Sequence, residues 1–380
     1  MSEQRLKNYK PHLNWIDDQF ERMCRSLIAL AETNSGSFNT KGLEKVCNQL
    51  IKLIRPLGGK YEIITLKPLK QINCKGEFEE IPLGKALRVW KRPKASLRIF
   101  LGGHMDTVFP EESDFQRVVS LENDMLNGPG VADLKGGLMV MIVALEALER
   151  SPWAENIGWE ILFNPDEEIG SPGSATLIEQ CAKNNDLGLL FEPSFPDGSL
   201  ASERMGTGNF TAVARGKPAH AGREHRLGRN AICAMADFIQ MIYDLNDHTE
   251  GLIVNPGFIQ GGGPVNVVPD FTILKFSIRI KRPVDETRVL EQLHNVVNSI
   301  NKREGLSIEL HGGFHRSPKI LTPAGQRMLE LFGDCAADLG MKLRWHATGG
   351  CCDGNNLAAA GLPNVDNLGV RGGKTHSIEE

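Results

Sequence analysis

Short apolar runs alternate with amphipathic helical segments through the first 200 residues of this 380-residue chain. The apolar runs cover residues 98–101, 157–163 and 187–191, and each ends near glycine, proline or an acidic residue. A segment with apolar side chains at three- and four-residue spacing covers residues 138–148. Strands and helices in such alternation form a sheet with helices on both faces. We therefore predict an α/β fold around a mostly parallel mixed sheet.

A different pattern occupies residues 203–314. Apolar and polar side chains alternate in Phe210–Ala214 and Phe271–Ile280, as in half-exposed antiparallel strands. Helical patterns follow these strands at about residues 230–245 and 285–303. We therefore predict an inserted α+β domain at 203–314. Residues 1–202 and 315–380 would then form one discontinuous domain around it.

Charge and composition exclude several classes of protein. The 43 Lys and Arg residues against 47 Asp and Glu give a net charge of −4, so no nucleic-acid surface is expected. No apolar run approaches the roughly 20 residues of a membrane helix. The N-terminus lacks the pattern of a signal peptide, so we expect a cytoplasmic protein. The eight cysteines include no CxxC pair, which favours reduced thiols.

Five ionisable residues follow predicted strands or open a predicted helix: His104, Asp133, Glu168, Glu192 and His376. The carboxyl ends of parallel strands share one edge of a sheet, so we expect these side chains to meet. Each alone has an ordinary explanation, such as a loop histidine, a helix cap or a solvated acidic loop. Together, two imidazoles and three carboxylates suit two divalent cations, most readily Zn²⁺, with Co²⁺ or Mn²⁺ as alternatives.

Two further acids adjoin these candidate ligands. Asp106 lies two residues after His104, so both side chains point the same way on an extended segment. A carboxylate in this position can orient a metal-binding imidazole. Glu167 precedes Glu168 and is not needed as a ligand, so it is a candidate general base.

Five separated motifs, taken in their order along the chain, carry a family resemblance. They are His104-Met-Asp-Thr-Val, the glycine-rich turn 128–137 around Asp133, Asp166-Glu-Glu168, Glu192-Pro193 and Lys374-Thr-His376-Ser. They resemble metallopeptidase family twenty, which includes glutamate carboxypeptidases, aminoacylase, acetylornithine deacetylase and succinyl-diaminopimelate desuccinylase. The glutamate carboxypeptidase branch is the most similar.

The resemblance implies the roles of the residues in these motifs. The metal ligands would be His104, Asp133, Glu168, Glu192 and His376. Asp133 would bridge two cations and precede a cis peptide bond. Glu167 would be the general base, and Asp106 the orienting acid.

The resemblance also assigns roles in the insertion, which matches the family's dimerisation or lid domain. His220 would reach the active site of a partner subunit in a homodimer and stabilise the oxyanion. Asn266 and Arg279 would bind substrate, with Arg279 on its carboxylate. Without the resemblance, His220 is an ordinary turn histidine and Arg279 a surface ion-pair partner. Gly350 would place its backbone near the substrate, in a loop where Cys351 and Cys352 replace the small residues of relatives.

The leading hypothesis is a dizinc hydrolase of an amide bond in an N-acyl amino acid or a dipeptide-like small molecule with a free carboxylate. One alternative is a deacetylase or desuccinylase of a biosynthetic amino acid, such as acetylornithine. A second is a metal-binding homologue without turnover. The chain ends four residues after His376, where relatives continue with a helix, so we expect this segment to be loosely tethered.

Overall fold

The computed structural model describes residues 3–122, 124–248 and 250–380. The helices in these residues are α1 (Glu3–Asp17), α2 (Phe20–Ala31), α3 (Thr40–Ile54), α4 (Gly137–Glu149), α5 (Ala175–Asn184), α6 (Ala231–Tyr243), α7 (Leu245–His248), α8 (Asp285–Asn301), α9 (Pro323–Asp338) and α10 (Asp353–Ala359). Within the described ranges, none of the helices has the length and apolar composition that a membrane crossing requires.

The strands of the same residues form two larger sheets and several short pairs. They are β1 (Lys60–Thr65), β2 (Leu69–Ile72), β3 (Phe78–Ile81), β4 (Lys85–Lys91), β5 (Leu97–His104), β6 (Val119–Ser120), β7 (Leu126–Asn127), β8 (Ile157–Asn164), β9 (Leu187–Leu190), β10 (Leu200–Arg204), β11 (Gly206–Arg215), β12 (Ala219–His220), β13 (Leu252–Gly261), β14 (Val267–Val268), β15 (Phe271–Ile280), β16 (Ser307–Arg316), β17 (Trp345–Thr348) and β18 (Asn364–Val365).

The central sheet has the strand order β1-β4-β8-β5-β9-β18. Strands β8, β5, β9 and β18 run parallel, while β4 is antiparallel to both β8 and β1. Alternate side chains face opposite sides of this sheet. Leu101 and Ile161 pack with α2, α3 and α4 on one face, and Phe100 and Leu162 pack with α5 and α10 on the other. The predicted mostly parallel sheet between helices is confirmed.

The second sheet is antiparallel throughout, with the order β13-β15-β11-β16. One face packs against α6 and α8 through a core that includes Phe238, Leu274, Phe276 and Leu293. The described residues of this unit therefore have the α+β character expected for 203–314. The domain boundaries themselves stay a prediction.

One predicted strand end is wrong. The run 98–101 was expected to stop at the glycine pair, but β5 continues through Gly102 and Gly103 to His104. Both glycines keep pairing with β8, opposite Leu162 and Phe163. A Cβ on Gly103 would lie 2.5 Å from the Leu138 side chain, so glycine here permits close packing of α4 on the strand. His104 is therefore the last residue of a central strand.

Two chain passages connect the sheets, and they lie side by side. Arg204 ends β10, and Lys319 follows β16; their backbones exchange two hydrogen bonds of 3.0 Å. Both side chains bind the buried Asp366, Arg204 at 3.0 and 3.1 Å and Lys319 at 2.7 Å. Burial alone would raise the pKa of Asp366, but the two cations lower it to about 2. The carboxylate therefore stays ionised and holds both passages.

Candidate active site

His104 lies at the carboxyl end of a central strand and is buried. Its Nδ1 is 3.0 Å from the backbone oxygen of Asp106 and 3.4 Å from Oδ1 of the same residue. Since a carbonyl oxygen only accepts, we infer that Nδ1 carries a proton, which leaves Nε2 as the ring nitrogen that faces the other carboxylates. Asp106 therefore lies beside the His104 ring, and its role as the orienting acid stays a prediction.

The Asp106 carboxylate also fixes the turn that carries Glu167 and Glu168. It accepts hydrogen bonds from their backbone N–H groups at 3.2 and 3.1 Å, and from Ser37 Oγ at 2.7 Å. Burial raises the pKa of the neighbouring Asp166 to about 7. The Asp166 side chain accepts two hydrogen bonds from the backbone N–H groups of Gly173 and Ser174, at 2.7 and 3.1 Å, which stabilise the turn.

Asp133 lies in an irregular turn at the start of α4, and its peptide bond to Leu134 is cis. Its two carboxylate oxygens face different histidines. Oδ1 is 3.2 Å from His104 Nε2, and Oδ2 is 3.5 Å from His376 Nε2. This arrangement is the one expected of a carboxylate that bridges two cations.

Each histidine has a second carboxylate beside it. Glu192, just beyond the end of β9, places Oε2 3.9 Å from His104 Nε2. Glu168 places Oε2 3.1 Å from His376 Nε2. The structure therefore brings together all five predicted ligands, in two groups that share Asp133.

The segment after His376 is anchored, so the expectation of a loosely tethered end is wrong. Glu380 is buried, and its Oε1 accepts hydrogen bonds from the backbone N–H groups of Ala132 and Asp133 at 3.2 and 2.9 Å. Its backbone oxygen accepts from the Gly128 N–H at 3.1 Å. The turn of Asp133 and the segment of His376 therefore position each other. Sequence reasoning overlooked Glu380 because its partners are backbone groups, which leave no residue pattern.

Burial and charge oppose each other throughout the site. Burial raises the pKa of Glu168 to about 7 and raises the pKa of Glu192 as well. Hydrogen bonds with Asp133 and Glu168 raise the pKa of His376 to about 10. Burial would also raise the pKa of Asp133, but its bonds with His104 and His376 lower it. Too little positive charge therefore surrounds these carboxylates. Protonated histidines balance their negative charge.

Divalent cations fit this donor set. The ligand atoms of His104, Asp133 and Glu168 all lie within 4.8 Å of one another. Imidazole nitrogens and carboxylate oxygens are the donors that Zn²⁺ and related ions prefer. Cations would replace the histidine protons as counter-charges and relieve the repulsion between buried carboxylates.

Glu167 is buried beside this cluster, with Oε2 4.0 Å from His104 Nε2. Its other oxygen lies 2.8 Å from Nη2 of Arg316, a residue that sequence analysis did not identify. Arg316 is itself buried at the end of β16. The run Phe-His-Arg-Ser at that point has no pattern that distinguishes a buried arginine from an exposed one.

The predicted substrate residues occupy the second sheet, the short strand pair β12–β14 and a nearby loop. Arg279 on β15 donates from Nη1 to the Gly349 carbonyl oxygen at 2.8 Å, next to the exposed Gly350. His220 and Asn266 are both exposed. They are neighbours because β12 pairs with β14 and the Asn266 carbonyl accepts from the Ala221 N–H at 2.9 Å. The hydrogen bonds of the His220 ring are local, with Nδ1 accepting from the backbone.

Residues 100–380 match the model of Peptidase family M20/M25/M40. The chain belongs to this family. Carboxypeptidase G2 from Pseudomonas sp. (strain RS-16) is 28% identical over 284 residues, which cover 73% of this chain and 68% of that protein. Succinyl-diaminopimelate desuccinylase from Verminephrobacter eiseniae (strain EF01-2) is 27% identical over 347 residues, which cover 86% of this chain and 84% of that protein.

A solved structure agrees with the fold. The M20 family metallo-carboxypeptidase Sso-CP2 from Sulfolobus solfataricus superposes with a TM-score of 0.71 over 94% of each chain, at 16% identity. At this identity the likeness shows the fold alone. Membership of the M20/M25/M40 family makes the chain a hydrolase of the metallopeptidase type, which confirms the family and the enzyme class expected from the motifs.

Proposed function

We propose that this chain hydrolyses an amide bond in an N-acyl amino acid or dipeptide-like substrate that carries a free carboxylate. The observation that carries the proposal is the position of Asp133 between two imidazoles, each with its own second carboxylate. Glu167 adjoins this group and is not needed to complete either set of ligands.

His104, Asp133 and Glu192 would hold one divalent cation, and His376, Asp133 and Glu168 the other, with Zn²⁺ as the first choice. Two bound cations would supply Lewis acidity and lower the pKa of a water molecule between them. Asp106 contributes by fixing the orientation of both His104 and the Glu167–Glu168 turn. The remaining chemistry is proton transfer, for which the chain needs a base.

Glu167 would be that base. Its Oε2 lies in the same buried space as His104 Nε2, where it could accept a proton from the attacking water and return it to the leaving nitrogen. Burial raises the pKa of Glu167. A carboxylate of raised pKa takes and releases a proton more easily near neutral pH than an exposed one.

Arg279 would bind the substrate carboxylate. Its side chain is half-buried and already in contact with the 349–351 loop, so the guanidinium has a defined place with donors left to bind. Exposed His220 and Asn266 would complete the site from a partner subunit of a homodimer, with His220 donating to the oxyanion.

The desuccinylase alternative has support of its own. The V. eiseniae desuccinylase aligns over 86% of this chain, more than the 73% aligned with carboxypeptidase G2. Both readings use the same ligands and the same base. They differ in the acyl group and in the amino acid that the site accepts, so substrate comparison separates them.

Metal analysis of the purified protein combined with an activity screen tests the proposal. The panel would contain N-acyl-glutamates, acetylornithine and N-succinyl-diaminopimelate. We expect two cations per chain, turnover of at least one compound, and turnover reduced to a few per cent or less in Glu167→Gln with the metal content unchanged. Glu179→Gln, an exposed glutamate paired with Lys183, is the matched control. A Glu167→Gln variant that keeps more activity than this would disprove the base assignment.

A further inference from the structure

The guanidinium of Arg316 lies closer to the side chain of Glu167 than His104 does, at 2.8 Å against 4.0 Å. Its Nη2 is 2.8 Å from Oε1 and 3.2 Å from the backbone oxygen of Glu167. The hydrogen bonds that Nη2 donates go to this backbone oxygen, to Ser171 Oγ at 2.9 Å and to Asp353 Oδ1 at 3.0 Å. The contact with Oε1 is therefore electrostatic, without the angle of a hydrogen bond.

Asp353 holds this guanidinium in place. It lies at the start of α10 and is buried. Its Oδ1 also accepts from Ser171 Oγ at 2.5 Å, and its Oδ2 accepts from Asn164 Nδ2 at 2.8 Å. Asn164 ends β8, and Ser171 follows the turn that carries Glu167. The pair thus contacts side chains on both sides of the candidate base, those of Asn164 and Ser171, and the backbone oxygen of Glu167 itself.

Charge explains why Glu167 needs such a contact. Its carboxylate is buried near those of Asp353, Asp133 and Glu192, and buried like charges repel one another. Without a counter-charge of its own, Glu167 would gain by rotating toward the cations and becoming one more ligand. A carboxylate bound to a cation is a weaker base, so it accepts a proton from water less readily.

We propose that Arg316 is a positioning residue, held by Asp353, that keeps Glu167 out of the metal ligand set and aimed at the substrate side of the site. Arg316 ends a strand of the second sheet, whereas Glu167 follows a strand of the central sheet. The orientation of the Glu167 side chain therefore depends on the position of the second sheet relative to the central sheet. This inference rests on the proposed role of Glu167.

The test compares Arg316→Ala, Arg316→Lys and Asp353→Asn with Arg88→Ala. Arg88 is the matched control, because it also pairs with a buried glutamate, Glu160, but on β4 away from the site. With N-acetyl-L-glutamate, or the panel compound turned over fastest, we expect kcat of Arg316→Ala to fall about 100-fold or more. We expect KM to change less than about threefold and the two cations to remain, while guanidinium chloride at millimolar concentration restores part of kcat. Arg88→Ala should lower the melting temperature without this loss of kcat.

Hydrogen exchange of the metal-free proteins gives a second measurement that does not use activity. Arg316→Ala should lose backbone protection in residues 166–171, whereas Arg88→Ala should leave these residues protected. Arg316→Lys supplies a single ammonium in place of the planar guanidinium, so it should recover at most part of the kcat that is lost in Arg316→Ala. If Arg316→Ala does not fold, a Lys variant with the parent kcat overturns the inference.

Three other outcomes would also overturn it. One is a parent-like kcat in Arg316→Ala; another is a raised KM at constant kcat, which would make Arg316 a substrate ligand. The third is a loss of hydrogen-exchange protection throughout Arg316→Ala, with no recovery of kcat on adding guanidinium. That result would make the arginine merely structural. Failure of the proposed function looks different, because the parent protein itself would then turn over no compound of the panel.

Discussion

At the scale of single residues, the histidines of the site have unequal surroundings. His104 is buried at the end of a central strand, whereas the His376 side chain is 55% exposed on a loop. His376 contacts Asp133 and Glu168, and only Asp133 is shared with His104. Removing His376 would therefore leave one of the two proposed sets of ligands intact.

We expect His376→Ala to retain one of two cations and to lose at least 100-fold in turnover. The reason is that Glu168 alone is a weak partner for the second cation, while His104, Asp133 and Glu192 still form a three-residue site. Elemental analysis after dialysis measures the stoichiometry. His346→Ala, an exposed histidine elsewhere, is the control. Retention of both cations in His376→Ala would remove this residue from the ligand set.

Glu149 offers a prediction for pH, away from the site. Burial would raise its pKa, but Arg92, Lys91 and Trp159 lower it from 4.5 to about 2. A depressed pKa stabilises the fold above pH 4.5, and this stabilisation disappears as pH falls toward 2. Glu149→Gln should thus lower the free energy of unfolding by about 3 kcal/mol at pH 7, since one pKa unit is about 1.4 kcal/mol.

Urea unfolding of Glu149→Gln and the parent between pH 3 and 7 measures this effect. The difference in unfolding free energy should be constant above about pH 5 and shrink toward pH 3. The exposed Glu179→Gln should show almost no difference at any pH. A Glu149→Gln difference that grows on acidification would contradict the assignment.

At the scale of elements, α4 approaches the end of β9 through a glycine. A Cβ on Gly137 would lie 2.0 Å from the backbone oxygen of Phe191, the residue before Glu192. Gly137→Ala should therefore push the Glu192 segment away, lower the affinity for one cation at least tenfold and reduce thermal stability. Gly325→Ala, also in a first helical turn, is the control, because its Cβ would meet only ordinary contacts of 3.4 Å and beyond. Zinc titration of the metal-free variants measures the difference.

The elements also show what the sequence could predict. The apolar runs located the strands, and polar residues at their ends located His104, Glu168 and Glu192, because strand ends of a parallel sheet share one edge. Asp133 was expected from the start of a predicted helix, and His376 from its position after a predicted strand; the family motifs supplied their roles. Arg316 was missed: its burial depends on Asp353 and Ser171, which are distant in sequence. Long-range polar contacts of this kind leave no local pattern.

At the scale of the whole molecule, β13 is an edge strand with exposed apolar side chains. Ile253 and Ile259 are 48% and 55% exposed, and Ile232 on α6 is 42% exposed. An open edge of this kind pairs readily with a second chain. This supports the proposed homodimer, in which His220 reaches the partner's site.

We expect a mass in solution near twice the 41.9 kDa of one chain. Ile253→Lys should give a monomer that retains its cations but loses most of its turnover, because His220 no longer reaches a partner. Ile63→Lys is the matched control, since Ile63 lies on β1, the edge strand of the central sheet, and is 46% exposed. Light scattering and kcat measure the two effects. A fully active monomer would rule out a role for His220 in the active site of a partner subunit.

The shared contact of Arg204 and Lys319 with Asp366 joins the two chain passages between the sheets. Arg316 lies three residues before Lys319, so this buried carboxylate is close in sequence to the residue that contacts Glu167. A change at Asp366 should therefore disturb the placement of the second sheet and the contact between Arg316 and Glu167 together.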